Sequence, residues 1–253
     1  MTQTLGLIGS GLIGATLARL AVAAGLDVVL SNSRGPETLA DLVAELGEHA
    51  RAATPAEAAQ AGDLVVATIP LHAYDRLPAA DLAGKTVLDT MNYYPQRDGG
   101  IAELDTGELT SSELVQRHLS GARLVKAFNN IDFNSLLTLA RPAGADDRTA
   151  LPIAGDDPAA KAEAARLLDA LGYDAVDIGP LADSWRSEPG TPVYTRPYFP
   201  YDAPAGITKE EELYRWFVET PSVAVPADRV KELADGTVRG TAGGRFPRQV
   251  GAE

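Results

Sequence analysis

The chain has 253 residues, 45% of them hydrophobic, with no cysteine and a net charge of −13. That length suits one large domain, or a domain with a smaller lobe, with a sizeable core. The missing cysteines remove disulfides, thiolate catalysis and cysteine-based metal sites. The acidic balance argues against nucleic acid or anionic membrane surfaces as partners, because phosphate binding needs a basic patch.

His49, His72 and His118 are scattered without metal-ligand spacing, so no metal is expected. The N-terminus lacks the basic start of a signal peptide, and no apolar run reaches the roughly 18 residues of a membrane span. A cytoplasmic location is the simplest expectation.

The first element is a short apolar strand, Leu5–Ile8, followed at once by Gly9-Ser10-Gly11-Leu12-Ile13-Gly14. A helix-period stretch runs from Ala15 to Ala24, breaks at Gly25, and gives way to a second strand, Val28–Leu30. Strand, glycine turn, helix, strand is the context in which GxGxxG reads as a dinucleotide-binding fingerprint. Gly9 permits the sharp turn, Gly11 lets a pyrophosphate approach the backbone and the helix N-terminus, and Gly14 allows close helix–strand packing.

The tip of the second strand selects the dinucleotide. NAD sites usually carry Asp or Glu there, about 20 residues past the glycines, to bind the ribose 2′-hydroxyl. This chain has Ser31-Asn32-Ser33-Arg34 instead. A hydroxyl and a guanidinium suit a 2′-phosphate, so NADP(H) is the expected cofactor. The plainer reading makes Arg34 a solvated loop residue and Asn32 a cap for the next helix.

A second helix is expected over Pro36–Leu46. Thr54 and Glu57 have capping-box spacing, opening a helix that ends near Ala61. Leu64–Ile69 reads as a buried parallel strand, followed by Pro70-Leu71-His72-Ala73-Tyr74. His72 stands where ligands bind in open α/β sheets, although a lone loop histidine is ordinarily a surface residue. Lys85–Thr90 is the next strand, running into Met91-Asn92-Tyr93-Tyr94-Pro95. Residues 96–112 read as a polar loop. Ser111-Ser112 open a helix to about Leu119, then Ala122–Phe128 forms a strand ending in Asn129-Asn130-Ile131, and Asp132–Leu139 a further helix.

Residues 141–149 form a loop. Beyond them the run Leu151–Gly155, a helix over Pro158–Leu171 and a strand over Tyr173–Ile178 extend the same sheet. From Gly179-Pro180-Leu181 the character changes. Prolines and aromatics crowd Ser184–Pro204, two short helices are expected over Thr208–Val218 and Pro226–Ala234, and the last fifteen residues, rich in Gly and Arg, are expected to order only if docked. The fold expected is therefore α/β: a Rossmann-type, doubly wound, mostly parallel sheet with helices on both faces and a C-terminal extension. Residues 1–180 form the NADP-binding domain, and 181–253 a substrate-side segment and tail.

The motifs resemble the NADP oxidoreductases of the coenzyme F420-dependent family over about residues 4–195. They are the glycine turn 9–14, Ser33-Arg34, Thr68-Ile69-Pro70, Asp89-Thr90 with Asn92, Val125-Lys126-Ala127-Phe128-Asn129, Ile153-Ala154-Gly155-Asp156-Asp157, Gly179-Pro180-Leu181, and Ser187-Glu188 before Thr191-Pro192. The resemblance implies hydride transfer between the nicotinamide C4 and the C5 of a deazaflavin, F420, as co-substrate. Such a reaction relies on positioning and on the cofactor's own chemistry.

It places Ser10, Leu12, Ile13, Ser33 and Arg34 at the ADP-phosphate end, with Gly9, Gly11, Gly14, Asn32 and Thr68 alongside. Ile69 and Pro70 would flank the nicotinamide ribose. Asn92, Lys126 and Asn129 are the candidates for catalysis at strand ends facing one crevice, and residues 179–191 would wall the acceptor. The chain departs from the family in its tail beyond 193, in Tyr93-Tyr94, and in the aromatics from Tyr194 to Tyr201, which bear on the acceptor. A reductase of a carbonyl, imine or flavin is the alternative, and an NADP(H)-binding redox sensor without turnover is the alternative of another class. A homodimer is the base-rate expectation.

Overall fold

Alternating side chains on the central strands decide the layering. In the computed structural model, which describes residues 3–202 and 210–244, Leu64 and Val66 join one core while Val65 and Ala67 join another. Leu88 and Val87 divide the same way, as do Val125 and Leu124. A strand buried on both faces needs apolar residues at every position, which is why these segments read as unbroken apolar runs.

Eight strands form one sheet: β1 (Thr4–Ile8), β2 (Asp27–Ser31), β3 (Ala50–Ala52), β4 (Leu64–Ala67), β5 (Thr86–Asp89), β6 (Arg123–Lys126), β7 (Ala150–Gly155) and β8 (Asp174–Asp177). Their order is β3-β2-β1-β4-β5-β6-β7-β8. All neighbours are parallel except β6 and β7, which run antiparallel. The sheet is the expected doubly wound one, with β7 and β8 extending it. Leu7 lies in register with Leu30 on one side and Val66 on the other. The order reverses between β1 and β4, so the crevice at the carboxyl ends of those strands is the ligand position of the fold.

The helices are α1 (Leu12–Ala23), α2 (Ala40–Leu46), α3 (Pro55–Ala61), α4 (Ala79–Leu82), α5 (Pro95–Asp98), α6 (Ala102–Asp105), α7 (Ser111–His118), α8 (Phe133–Thr138), α9 (Pro158–Ala170), α10 (Glu210–Glu219) and α11 (Ala227–Asp235). α1, α8 and α9 bury Leu17, Leu136 and Leu168 in one core, whereas α7 buries Leu114 and Val115 in the other. α3 begins with the expected capping box, Thr54 with Glu57, and α7 has a second one from Thr110 with Glu113. Among the described residues no helix is long and apolar enough to cross a membrane.

Two expectations change. The helix read over Pro36–Leu46 starts as a 3₁₀ turn, Pro36–Leu39, before α2. Residues 96–112 are not a plain loop, because α5, α6 and the start of α7 occupy them around the Tyr93 hydroxyl, which donates to Asp105 Oδ1 (2.7 Å) and accepts from the Ile101 N–H (3.0 Å). The tail docks as far as it is described: Arg239 donates to the Leu109 carbonyl at 3.0 Å, and Gly243 lies against Pro95 and Tyr93. The start of the helix expected at Thr208, and residues 245–253, lie outside the described residues.

Candidate active site

The glycine turn is built by backbone crowding on one side and open space on the other. Gly9 has φ of 108°, and a Cβ there would strike the Thr68 carbonyl. A Cβ on Gly14 would strike the Gly9 carbonyl. Gly11 differs. Its φ of −75° is ordinary extended backbone, and a Cβ would meet nothing within 4 Å. Gly11 caps α1, no side chain caps that helix and no acid sits in its first turn. The first N–H groups of α1 therefore face an open space suited to an anion. The Ser10 hydroxyl donates to the Ser31 carbonyl at 3.0 Å, locking the turn to β2. Leu12 is 41% exposed on the lip, and Ile13 is half-buried.

At the β2 tip, Asn32 shapes the loop rather than capping a helix. Its Oδ1 accepts from the N–H groups of Arg34 (2.9 Å) and Gly35 (3.0 Å), and its Nδ2 donates to Thr38 Oγ1 (2.8 Å). Ser33 and Arg34 are exposed beside it. Among the described residues the Arg34 guanidinium has no hydrogen-bond or ion-pair partner, even though the Glu37 carboxylate folds back over neighbouring Gly35.

Beyond β4, Thr68 and Ile69 are half-buried and Pro70 exposed, with the Thr68 N–H donating to Ile8 O at 2.9 Å. Asn92 and Asn129 do meet. Asn92 Nδ2 donates to the Asn129 carbonyl (2.8 Å), and Asn129 Nδ2 donates to Asn92 Oδ1 (3.1 Å) and to the Ser187 carbonyl (2.8 Å). Both amides are thus committed to joining the ends of β5 and β6 to the 3₁₀ segment Leu181–Ser187.

Lys126 is placed otherwise than expected. It is fully buried, and its ammonium donates to the Met91 carbonyl, to Ser111 Oγ (3.0 Å) and to Asp89 Oδ2 (3.4 Å). Asp89, its neighbour in strand register, also accepts from Ser112 Oγ (2.7 Å), and buried Glu188 accepts from Ser111 Oγ (2.6 Å). An ammonium enclosed this way neutralises buried charge and cannot touch a ligand in the crevice.

Sequence reasoning missed a polar cluster in the segment read as a loop. Asp98, whose side chain is fully buried, accepts from Arg97 Nε (2.8 Å), from the Tyr94 N–H (2.9 Å) and from His72 Nδ1 (3.1 Å). Burial pushes its carboxyl up, but the Arg97, Tyr94 and His72 hydrogen bonds outweigh that and hold it below the usual carboxylate range. Arg97 lies 4.9 Å over the Tyr94 ring, and the Tyr94 hydroxyl bonds that of Tyr194. Burial, above all, raises the pKa of both phenols. The position just past β5 was the available signal for Arg97 and Asp98. A polar recess lined by Asp63, Lys85, Arg123, Glu163 and Arg166 lies at the opposite, N-terminal edge of the strands, away from this crevice.

Residues 4–93 match the family described as NADP oxidoreductase coenzyme F420-dependent. The crystal structure of a hypothetical protein, SMa0349 from Sinorhizobium meliloti, superposes with a TM-score of 0.67 at 30% identity, covering 77% of this chain and 93% of that one. Over 204 residues the chain is 29% identical to the F420-dependent NADP reductase of Methanothermobacter marburgensis, covering 73% of this chain and 87% of that protein. Over these stretches the chain is similar to the coenzyme F420-dependent NADP oxidoreductases. Protein YjhV of Escherichia coli K12 is 37% identical over 79 residues, a match that spans 31% of this chain and 54% of YjhV.

The residues at this crevice fit an NADP cofactor. The open face at Gly11 and the uncapped start of α1 suit a pyrophosphate. The exposed Ser33 hydroxyl and the Arg34 guanidinium, unpaired among the described residues, suit a 2′-phosphate at the β2 tip.

Proposed function

We propose that the chain is an NADPH-dependent reductase whose hydride acceptor is a deazaflavin of the F420 type. The observation that carries the cofactor half is the pairing of an open Gly11 with an Arg34 at the tip of β2 that has no partner among the described residues. The acceptor half is supported by the likeness to the F420-dependent NADP reductase. When bound, NADPH supplies a hydride from the nicotinamide C4, and the chain's part is to bind, orient and shield. The N–H groups at the start of α1 hold the pyrophosphate, and Ser33 and Arg34 hold the 2′-phosphate. Ile69 and Pro70 flank the nicotinamide ribose, while Asn92 and Asn129 fix the floor on which the acceptor lies.

One observation fits a different acceptor equally well. The Tyr94–Tyr194 pair and the docked tail at Gly243 build an aromatic wall next to the strand ends. That wall suits a smaller carbonyl, imine or flavin ring as well as a deazaflavin. The test is NADPH oxidation, followed by loss of nicotinamide absorbance, with oxidised F420, FMN, FAD and a panel of carbonyl and imine compounds. Turnover with F420 alone supports the first reading, and turnover with another acceptor the second. NADPH binding without turnover across the panel would overturn both and leave an NADP(H) sensor.

A further inference from the structure

His72 is attached to the site by more than its place in sequence. It follows Pro70 in the 3₁₀ turn Leu71–Arg76, at the carboxyl end of β4, beside the point where the strand order reverses. Its Nδ1 is 3.1 Å from Asp98 Oδ1, and its backbone N–H donates to the same oxygen at 3.3 Å. Asp98 also binds the Tyr94 N–H, so one buried carboxylate ties the turn after β4 to the turn after β5.

A carboxylate can only accept, so Nδ1 carries the hydrogen. That leaves Nε2 as the free nitrogen, on a side chain 46% exposed, with no hydrogen bond among the described residues. A mere clasp between the two turns would need only the backbone bond that His72 already makes. An imidazole with one nitrogen held on a sealed carboxylate and the other facing out is the arrangement of an oriented acid–base group.

The other polar groups nearby are unsuited to the task. Burial keeps the Tyr94 and Tyr194 hydroxyls protonated well past neutrality, Asn92 and Asn129 do not ionise, and Lys126 is enclosed. The charged groups facing His72 are Asp98 and, through it, Arg97. Asp75 and Arg76 on its own turn are exposed, and His118 of α7 packs edge-on against Tyr74.

We propose that His72, oriented by Asp98, is the proton donor of the reduction. This rests on the reductase reading above. The hydride adds to the electrophilic carbon of the acceptor, and NADPH leaves as NADP⁺. The electron pair displaced onto the acceptor's nitrogen or oxygen takes the proton from Nε2. The neutral imidazole keeps Nδ1–H on Asp98 and regains a proton from water at its exposed edge. Asp98 is a positioning residue.

The experiment combines kinetics with proton NMR. With the acceptor that the wild type reduces, H72Q should lower kcat about 100-fold, the lower end of what a general acid contributes. It should also abolish the decline in rate as pH rises through the imidazole range. Free imidazole should restore part of the activity of H72A. D98N should lower kcat with little change in the KM for NADPH, since the imidazole loses the partner that orients it. An unchanged pH profile in H72Q would overturn the proposal.

The NMR readout needs no turnover. The chain has three histidines, and loss of one set of ring signals in H72Q assigns His72. Its titration midpoint should be lower with NADP⁺ bound than with NADPH, because the oxidised nicotinamide is cationic. Equal midpoints would place His72 away from the reacting ring and overturn the proposal even if no acceptor is found. A wild type that turns over nothing, with midpoints that do differ, would refute the reductase reading alone.

Discussion

Gly11 offers the sharpest separation of cofactor binding from folding. Its backbone is in the ordinary extended region and a Cβ would meet nothing within 4 Å, so Gly11→Ala adds a methyl group at no steric cost. Narrowing the unfolded ensemble gains about 0.4–1 kcal/mol, and Ala at the N-cap of α1 gives back about as much, so the Tm of the free protein should stay within roughly 4 °C of the wild type. The same methyl stands where a pyrophosphate must approach α1. Losing the charge-assisted hydrogen bonds made there costs about 1.5–3 kcal/mol, a roughly 10- to 100-fold weaker Kd. Thermal melts without ligand and titration calorimetry with NADPH measure the two effects independently. Gly14→Ala is the contrast, since its Cβ would meet the Gly9 backbone and the variant should melt lower even without ligand. A Gly11→Ala protein that binds NADPH as tightly as the wild type would refute the placement of the pyrophosphate. A sharply lowered Tm would refute the openness of the turn.

The remaining predictions concern charge. Arg34→Ala should weaken NADPH about 10-fold or more, one charge-assisted hydrogen bond lost, while leaving NADH within about 2-fold; equal weakening of both, read by calorimetry, would remove Arg34 from the 2′-phosphate site. Lys126→Met should cost about 3–5 kcal/mol because it leaves Asp89 buried without its counter-charge, lowering Tm by roughly 6–20 °C; a variant with wild-type Tm but no activity would return Lys126 to the catalytic list. Asp132 caps α8 through Oδ1, its buried Oδ2 has no partner among the described residues, and burial raises its pKa against the pull of the Ser135 and Asn134 hydrogen bonds. The folded state then holds this proton more tightly than the unfolded one. As pH rises from about 3.9, the unfolded value, to the raised folded value, the group lowers stability, and the cost is full above it. Asp132→Asn should remove that slope from a plot of Tm against pH, and an unchanged slope would contradict the assignment.

The glycine turn was legible because its geometry is backbone geometry. Gly9, Gly11 and Gly14 must be glycine or open for reasons of local geometry, and the apolar runs around them have one stable use in a sheet buried on both faces. The rest depended on distant partners. Lys126 looked like a strand-end residue facing a crevice, but β5 and β6 pair in a register that sets it beside Asp89. α5 and α6 are four residues each, too short to show a period. They hold because the Tyr93 hydroxyl and the Asp98 carboxylate gather three N–H or guanidinium groups that sequence spacing does not connect. β3, Ala50–Ala52, carries no pattern of its own and exists by pairing with β2.

The two halves of the crevice are consequently held by different forces. The NADP side needs only a strand end and a helix start. The side proposed for the acceptor is assembled from hydrogen bonds between residues far apart in sequence: Asn129 to Ser187, Tyr94 to Tyr194, Asn130 to the Val193 carbonyl and the Tyr198 hydroxyl, and the Thr195 N–H to the Asn130 carbonyl. Phe128 and Thr195 sit at φ of 58° and 50°, a conformation that costs such residues about 1–3 kcal/mol and persists only where neighbours over-determine it. Both lie in this network, Phe128 immediately before Asn129 and Thr195 immediately after Tyr194. A wall tied at so many points is preformed, so on the proposed reading it selects an acceptor by shape before binding rather than by closing over it. Substitutions along residues 184–199 should then change which acceptor is reduced while leaving NADPH affinity where the glycine turn and the β2 tip set it.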